Sequence, residues 1–161
     1  MLILFLSNVL HAEPSIIGLT RSGAYVLYAI PSLFFSKFIL HWINSWSNSK
    51  VYAVSFLFSS FFMFLIGRSI DPLQVFILYS IFGFVRGFAI LPQMAFMSGG
   101  STEVVGKSFG FFMLFGSLGS LIGGMISPYI ASIYGFEILF AIAAILDILT
   151  IFPIIIKKIK I

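Results

Sequence analysis

Two ionisable side chains stand where charge is expensive. Arg86 falls near the middle of an apolar run over 73–98, and Asp147 near the middle of another over 136–156. Each costs at least ~2.5 kcal/mol at the centre of a hydrocarbon layer, so each must face protein, water or a partner. At helical spacing Tyr79, Gly83, Arg86, Ile90 and Gln93 share one stripe, a polar face among apolar neighbours. A cation on that stripe attracts an anionic group of a bound solute, or holds a carboxylate that cycles with a proton. Arg86, Tyr79 and Gln93 are therefore the candidate substrate or cavity residues, with Asp147 as ion-pair or coupling candidate. The competing reading is a static pair between Arg86 and Asp147, which lie at comparable depth.

Other chemistry finds no residues to carry it. His11 and His41 are isolated, and the absence of Cys removes disulfides, thiolate zinc sites, iron–sulfur clusters and a thiol nucleophile. There is no Ser-His-Asp arrangement, no catalytic carboxylate pair and no Walker A sequence, so no enzyme activity, metal or other cofactor is expected. The net charge of +4 comes from Lys and Arg scattered singly, which builds no face for tracking phosphates, so nucleic acid is excluded as a partner. His11, Glu13 and His41 read as loop or interface residues.

The elements that position Arg86 and Asp147 follow from composition. The chain is 60% hydrophobic and only 9% charged, against about 25% charged in soluble domains. Apolar runs cover 22–43, 51–67, 73–98, 105–132 and 136–156, separated by short polar breaks. Open sheet does not survive in hydrocarbon, so the runs are read as five spanning helices in an all-α, polytopic membrane bundle, with the lipid bilayer as solvent. Residues 1–12 are too short to cross about 30 Å at 1.5 Å per residue. Without an early basic residue, and with Leu10 where a cleavage site wants a small residue, they read as a partial helix rather than a signal peptide.

The breaks carry helix-start chemistry. Asp71 caps the helix opening at Pro72, and Ser101-Thr102-Glu103 does the same for the next. Trp42, Trp46 and Tyr52 bracket one break, as amphipathic rings do at a headgroup interface. Helix 51–67, with Phe56, Phe58, Phe61, Phe62 and Phe64 around its circumference, is expected to face lipid and carry no chemistry. Gly116, Ser120 and Gly124 recur every four residues beside a second row of Gly119, Gly123 and Ser127, and Gly83 and Gly87 repeat the spacing on the Arg86 helix. Such rows let another backbone approach closely. Ser22, Tyr25, Ala29, Ser32 and Ser36 form a comparable stripe on helix 22–43.

Lys37, Lys50, Lys107, Lys157, Lys158 and Lys160 gather on one side of this arrangement, and Arg21 and Arg68 on the other. The positive-inside rule makes the first side cytoplasmic, including the tail 157–161.

Several short motifs occur in a telling order. The stretch GFVRGFAILP from Gly83 to Pro92 resembles the Gly-rich, Pro-ended fourth helix of one half of a major facilitator superfamily transporter. GKSFGFF from Gly106 is similar to that family's opening of the fifth helix, and GSLIGG from Gly119 to its GPxxGG segment, with Ser120 in place of Pro. YGFEILF from Tyr134 resembles the turn into the last helix of a half. In the loop 41–50, which reads HWINSWSNSK, the family's Asp, first Arg and Gly are absent. That departure assigns the chain to the C-terminal half, helices seven to twelve, with the first one truncated.

The resemblance implies a secondary transporter working by alternating access, with the Arg86 helix lining a central cavity and the Asp147 helix peripheral. Helices eight and eleven would slide against a complementary six-helix half or a second copy, with Gly83, Gly87, Gly116, Gly119, Ser120, Gly123 and Gly124 as packing or gating residues. It places the chain in the cell membrane and leaves its small-molecule substrate open. The alternatives are a membrane-embedded scaffold subunit and an inactive remnant of a longer transporter gene.

Overall fold

The computed structural model describes residues 1–34, 48–90, 93–94 and 102–152. Lys37, His41, Trp42, Trp46, Pro92, Ser101 and the tail lysines lie outside the described residues, as do the side chains of Ser32, Thr102 and Glu103. Among the described residues the regular structure is helical throughout: α1 (Leu2–Asn8), α2 (Pro14–Phe34), α3 (Asn48–Gly67), α4 (Pro72–Gly87) and α5 (Thr102–Leu149).

The short α1 is turned into α2 by His11, which adopts a left-handed conformation at φ 48°. α2 begins at Pro14 rather than at Ser22, because a proline suits the first helical turn and nothing from there to Ser22 breaks a helix. Thr20 is fully buried and donates to the Ile16 carbonyl at 2.7 Å, so this polar step continues the helix. A dip in hydropathy is not a dip in helicity.

α4 starts where Asp71 and Pro72 predict. The Asp71 carboxylate accepts from the Leu73 N–H at 3.4 Å, and the Gln74 amide oxygen from the Ile70 N–H at 3.3 Å. Both bonds satisfy donors at the helix start. α4 closes at Gly87, followed by a turn at Phe88 and Ala89. Arg86 thus lies in the last turn of α4 and not mid-helix, where its charge is favoured by the negative end of the helix dipole.

Gly135 divides α5. At φ 82° and ψ 166° it occupies a region open essentially to glycine alone, and separates an arm over 102–134 from an arm over 136–149.

The helices meet through small residues. A Cβ on Gly83 would collide with the Ala24 carbonyl oxygen, and one on Gly87 with the Tyr28 carbonyl oxygen and with Pro31 Cγ at 2.9 Å. Gly23 faces the Phe76 and Ser80 side chains less tightly, at 3.1 and 3.3 Å. The close face of α2 is thus Gly23, Ala24 and Pro31, while Ser22 and Tyr25 of the expected stripe are exposed. α3 packs along α4 and α5, with Gly67 so near Phe140 that an added Cβ would lie 2.6 Å from its Cβ.

Phe5, Leu6, Ile66, Val75 and Phe140 form one core cluster, and the Phe5 ring meets Phe136 and Phe140 at 5.5 and 5.4 Å. Phe56, Ala89 and Ile151 form a second. Lys50–Gly67 and Gly106–Leu149 are each long and apolar enough to cross a membrane, with mean hydropathies of 1.7 and 2.0.

Helix α3 departs from a uniformly lipid-facing cylinder. Ser55, Ser59 and Ser60 are buried, and each hydroxyl donates to a carbonyl of its own helix at 2.7–3.0 Å. That leaves a slim, internally satisfied face for packing, while Leu57, Phe58 and Phe61 point outward. Phe56 is buried on the inner side.

Candidate functional site

Arg86 is brought to Asp147 by the packing of α4 and the second arm of α5 around α3. Its Nη1 donates to Asp147 Oδ2 at 2.5 Å, with the arginine side chain 29% and the aspartate 18% exposed. The guanidinium carbon stands 4.3 Å from the centre of the Phe56 ring and 5.7 Å from that of Phe82. Aromatic faces attract a desolvated cation, so these rings and the carboxylate together hold the charge that the apolar surroundings disfavour.

A second ion pair lies on the same arm. Glu137, near the start of the second arm, accepts from Arg68 Nε at 2.7 Å, and both partners are more than half exposed. Arg68 follows directly on the end of α3 and lies over Phe64 at 4.5 Å. From Glu137 to Asp147 the helix advances about 15 Å at 1.5 Å per residue, half of a hydrocarbon core about 30 Å thick. One ion pair ties the arm at its start, and the other lies about 15 Å further along it.

Arg86 also borders open space. A cavity of about 440 Å³ is lined by Tyr28, Tyr52, Phe56, Arg86, Gln93 and Phe112 among others. A smaller one of about 150 Å³ also borders Arg86, against Tyr25, Tyr79, Phe82 and Gly83. The stripe expected from spacing is therefore split between two spaces that share Arg86. Tyr79 stacks on Phe82 at 5.5 Å with planes 11° apart.

The expected packing glycines fall into two sets. Gly83 and Gly87 are buried between α4 and α2, whereas Gly116, Gly119, Gly123 and Gly124 have nothing within 4 Å of where a Cβ would stand. Residues 110–126, the central part of the first arm of α5, are exposed. Gly116 and Ser120 line an open groove with Phe112 and Leu121.

The family profile of the Major Facilitator Superfamily matches residues 1–158. The chain belongs to the major facilitator superfamily. It is an integral membrane protein of a transporter family, and its all-helical fold is that of part of a facilitator bundle. No curated relative and no solved structure matches it.

In this facilitator chain Arg86 and Asp147 form an ion pair, and aromatic residues that spacing does not single out surround it. Phe82 was within reach, since it precedes Arg86 by four residues and so shares its helix face. Phe56, Tyr52 and Tyr28 come from other helices, and only the packing of α2 and α3 brings them in.

Proposed function

We propose that this chain forms a six-segment half, the C-terminal one, of a facilitator-type secondary transporter. It moves a small solute by alternating access, together with a complementary half carried in the same or another polypeptide or with a second copy. The observation that carries the reading is the first arm of α5. Its glycine rows are uncovered within an exposed, apolar stretch of helix, as a surface that slides against another bundle requires. The cavity beside Arg86 supports it, since facilitator solutes are held near mid-depth between two halves.

In this reading the protein makes and breaks no covalent bonds and needs no cofactor. Arg86, Tyr79 and Gln93 contact solute, Asp147 positions or couples, and Gly83 and Gly87 fix α4 on α2. Lysine asymmetry supports a cytoplasmic C-terminus, and the cell membrane is the proposed location.

The native chain has no Cys, which permits a direct test. Met94, half exposed at the cavity, is replaced by cysteine in the native genetic context. Alternating access requires the thiol to react with an impermeant maleimide from outside in intact cells and from inside in inverted vesicles. Reaction from one face alone removes the transporter reading.

A further inference from the structure

We infer that the larger cavity beside Arg86 is a binding site for a planar organic carboxylate with an apolar or aromatic body. This names the solute class of the transporter reading and rests on it. The argument begins with charge. Among the described residues that line the cavity, Arg86 is the one carrying a formal charge; Tyr28, Tyr52, Gln93 and Thr150 are polar and neutral. Asp147, which balances the arginine, is not among them. A solute entering this space touches the cation and not its counter-ion, so the direct contact on offer suits an anion.

Geometry then selects the shape of the anion. Among the described residues Arg86 gives Asp147 a single hydrogen bond, from Nη1 to one carboxylate oxygen. A guanidinium has five N–H donors arranged in a flat fork, so most of that fork is not used by the aspartate. The guanidinium carbon stands 4.3 Å from the centre of the Phe56 ring. The donors that the aspartate leaves over suit a carboxylate, which takes two of them in parallel bonds.

The walls set the rest of the molecule. Phe56, Phe112, Ala89 and Ile90 supply apolar and aromatic surface, and the volume of about 440 Å³ suits a small ligand, at the lower end of the roughly 300–1,000 Å³ typical of such sites. Gln93 and Tyr28 supply uncharged polar atoms for a second polar group on the solute.

The test uses the Met94→Cys protein in native membranes, with benzoate as probe and benzamide, benzylammonium and inorganic phosphate as comparisons. Benzoate is expected to slow maleimide labelling at least tenfold at saturation, and the comparison compounds to leave it unchanged. Asp147→Asn releases the fork and should lower the benzoate concentration needed for half protection. Arg86→Lys keeps the charge without the fork and should raise it about tenfold.

Removing Arg86 alone leaves a carboxylate unpaired, so the loss variant is Arg86→Gln with Asp147→Asn, which keeps a hydrogen-bonding pair of similar shape. It should label at the unprotected rate with or without benzoate. Equal protection by benzamide or phosphate, undiminished protection in the double variant, or no protection by benzoate would each overturn the carboxylate site. Labelling from both faces without benzoate protection defeats this inference and leaves the transporter reading standing; labelling from one face with benzoate protection does the reverse.

Discussion

Glu137 and Asp147 stand on one helical arm about 15 Å apart along its axis, and each binds an arginine from a different element, Arg68 at 2.7 Å and Arg86 at 2.5 Å. The two pairs share chemistry and differ in surroundings. The outer one is more than half exposed and water screens it, while the inner one is mostly enclosed and lies against Phe56. Arg68→Ala is expected to cost less than about 1 kcal/mol, as exposed pairs do. Arg86→Ala leaves Asp147 uncompensated and is expected to cost about 3 kcal/mol or more, most of which Asp147→Ala in the same chain should restore. Melting temperatures of the three variants in mild detergent check this. If the double variant regains stability but transports nothing, the pair acts in transport beyond balancing its own charge.

The glycines of α4 are the second point of leverage. Gly83 and Gly87 face backbone carbonyls of α2, which cannot rotate aside as a side chain does. Gly83→Ala or Gly87→Ala must push the two helices apart, at an expected cost of about 1–3 kcal/mol, read as a lower melting temperature. Gly18→Ala, at a helical position on α2 with nothing within 4 Å, is the control and should not lower it.

The all-helical membrane class was legible because hydrocarbon imposes it through composition alone. Arg86 and Asp147 were legible because charge in an apolar run has few explanations. The start of α4 was written in Asp71 and Pro72, whereas its early close after Gly87 was hidden by apolar residues that continue past the turn. The start of α2 was misplaced because polar Thr20 and Arg21 look like a break, although the Thr20 hydroxyl is satisfied within its own turn. The inward role of Phe56 could not be read, since on a helix with phenylalanine on every side only tertiary packing decides which ring meets Arg86.

Topology gives a third prediction. Lys50 opens α3 and Arg68 follows its end, so they lie at opposite ends of one span. By the positive-inside rule, single cysteines at Lys50 and Lys107 should resist an impermeant maleimide in intact cells, while those at Arg68 and Glu137 should react. Labelling at position 50 together with protection at 68 would invert the protein in the membrane.

The last prediction separates glycines that hold the chain together from glycines that meet something else. Gly119 and Gly123 lie one turn apart on the exposed first arm of α5, with open space where a side chain would stand. Inside this chain Gly119→Leu with Gly123→Leu therefore meets no clash, and replacing glycine in a helix is favourable by up to about 1 kcal/mol per position. Its melting temperature as a dispersed chain should hold or rise. If these glycines seat a complementary half, the same double variant blocks close backbone approach and should abolish association and transport. Size-exclusion chromatography with light scattering in mild detergent, run beside solute uptake in cells, reads both quantities. Unchanged association and uptake in the double variant would show that the partner docks elsewhere, and a large drop in the dispersed chain's melting temperature would show that this arm packs against its own bundle.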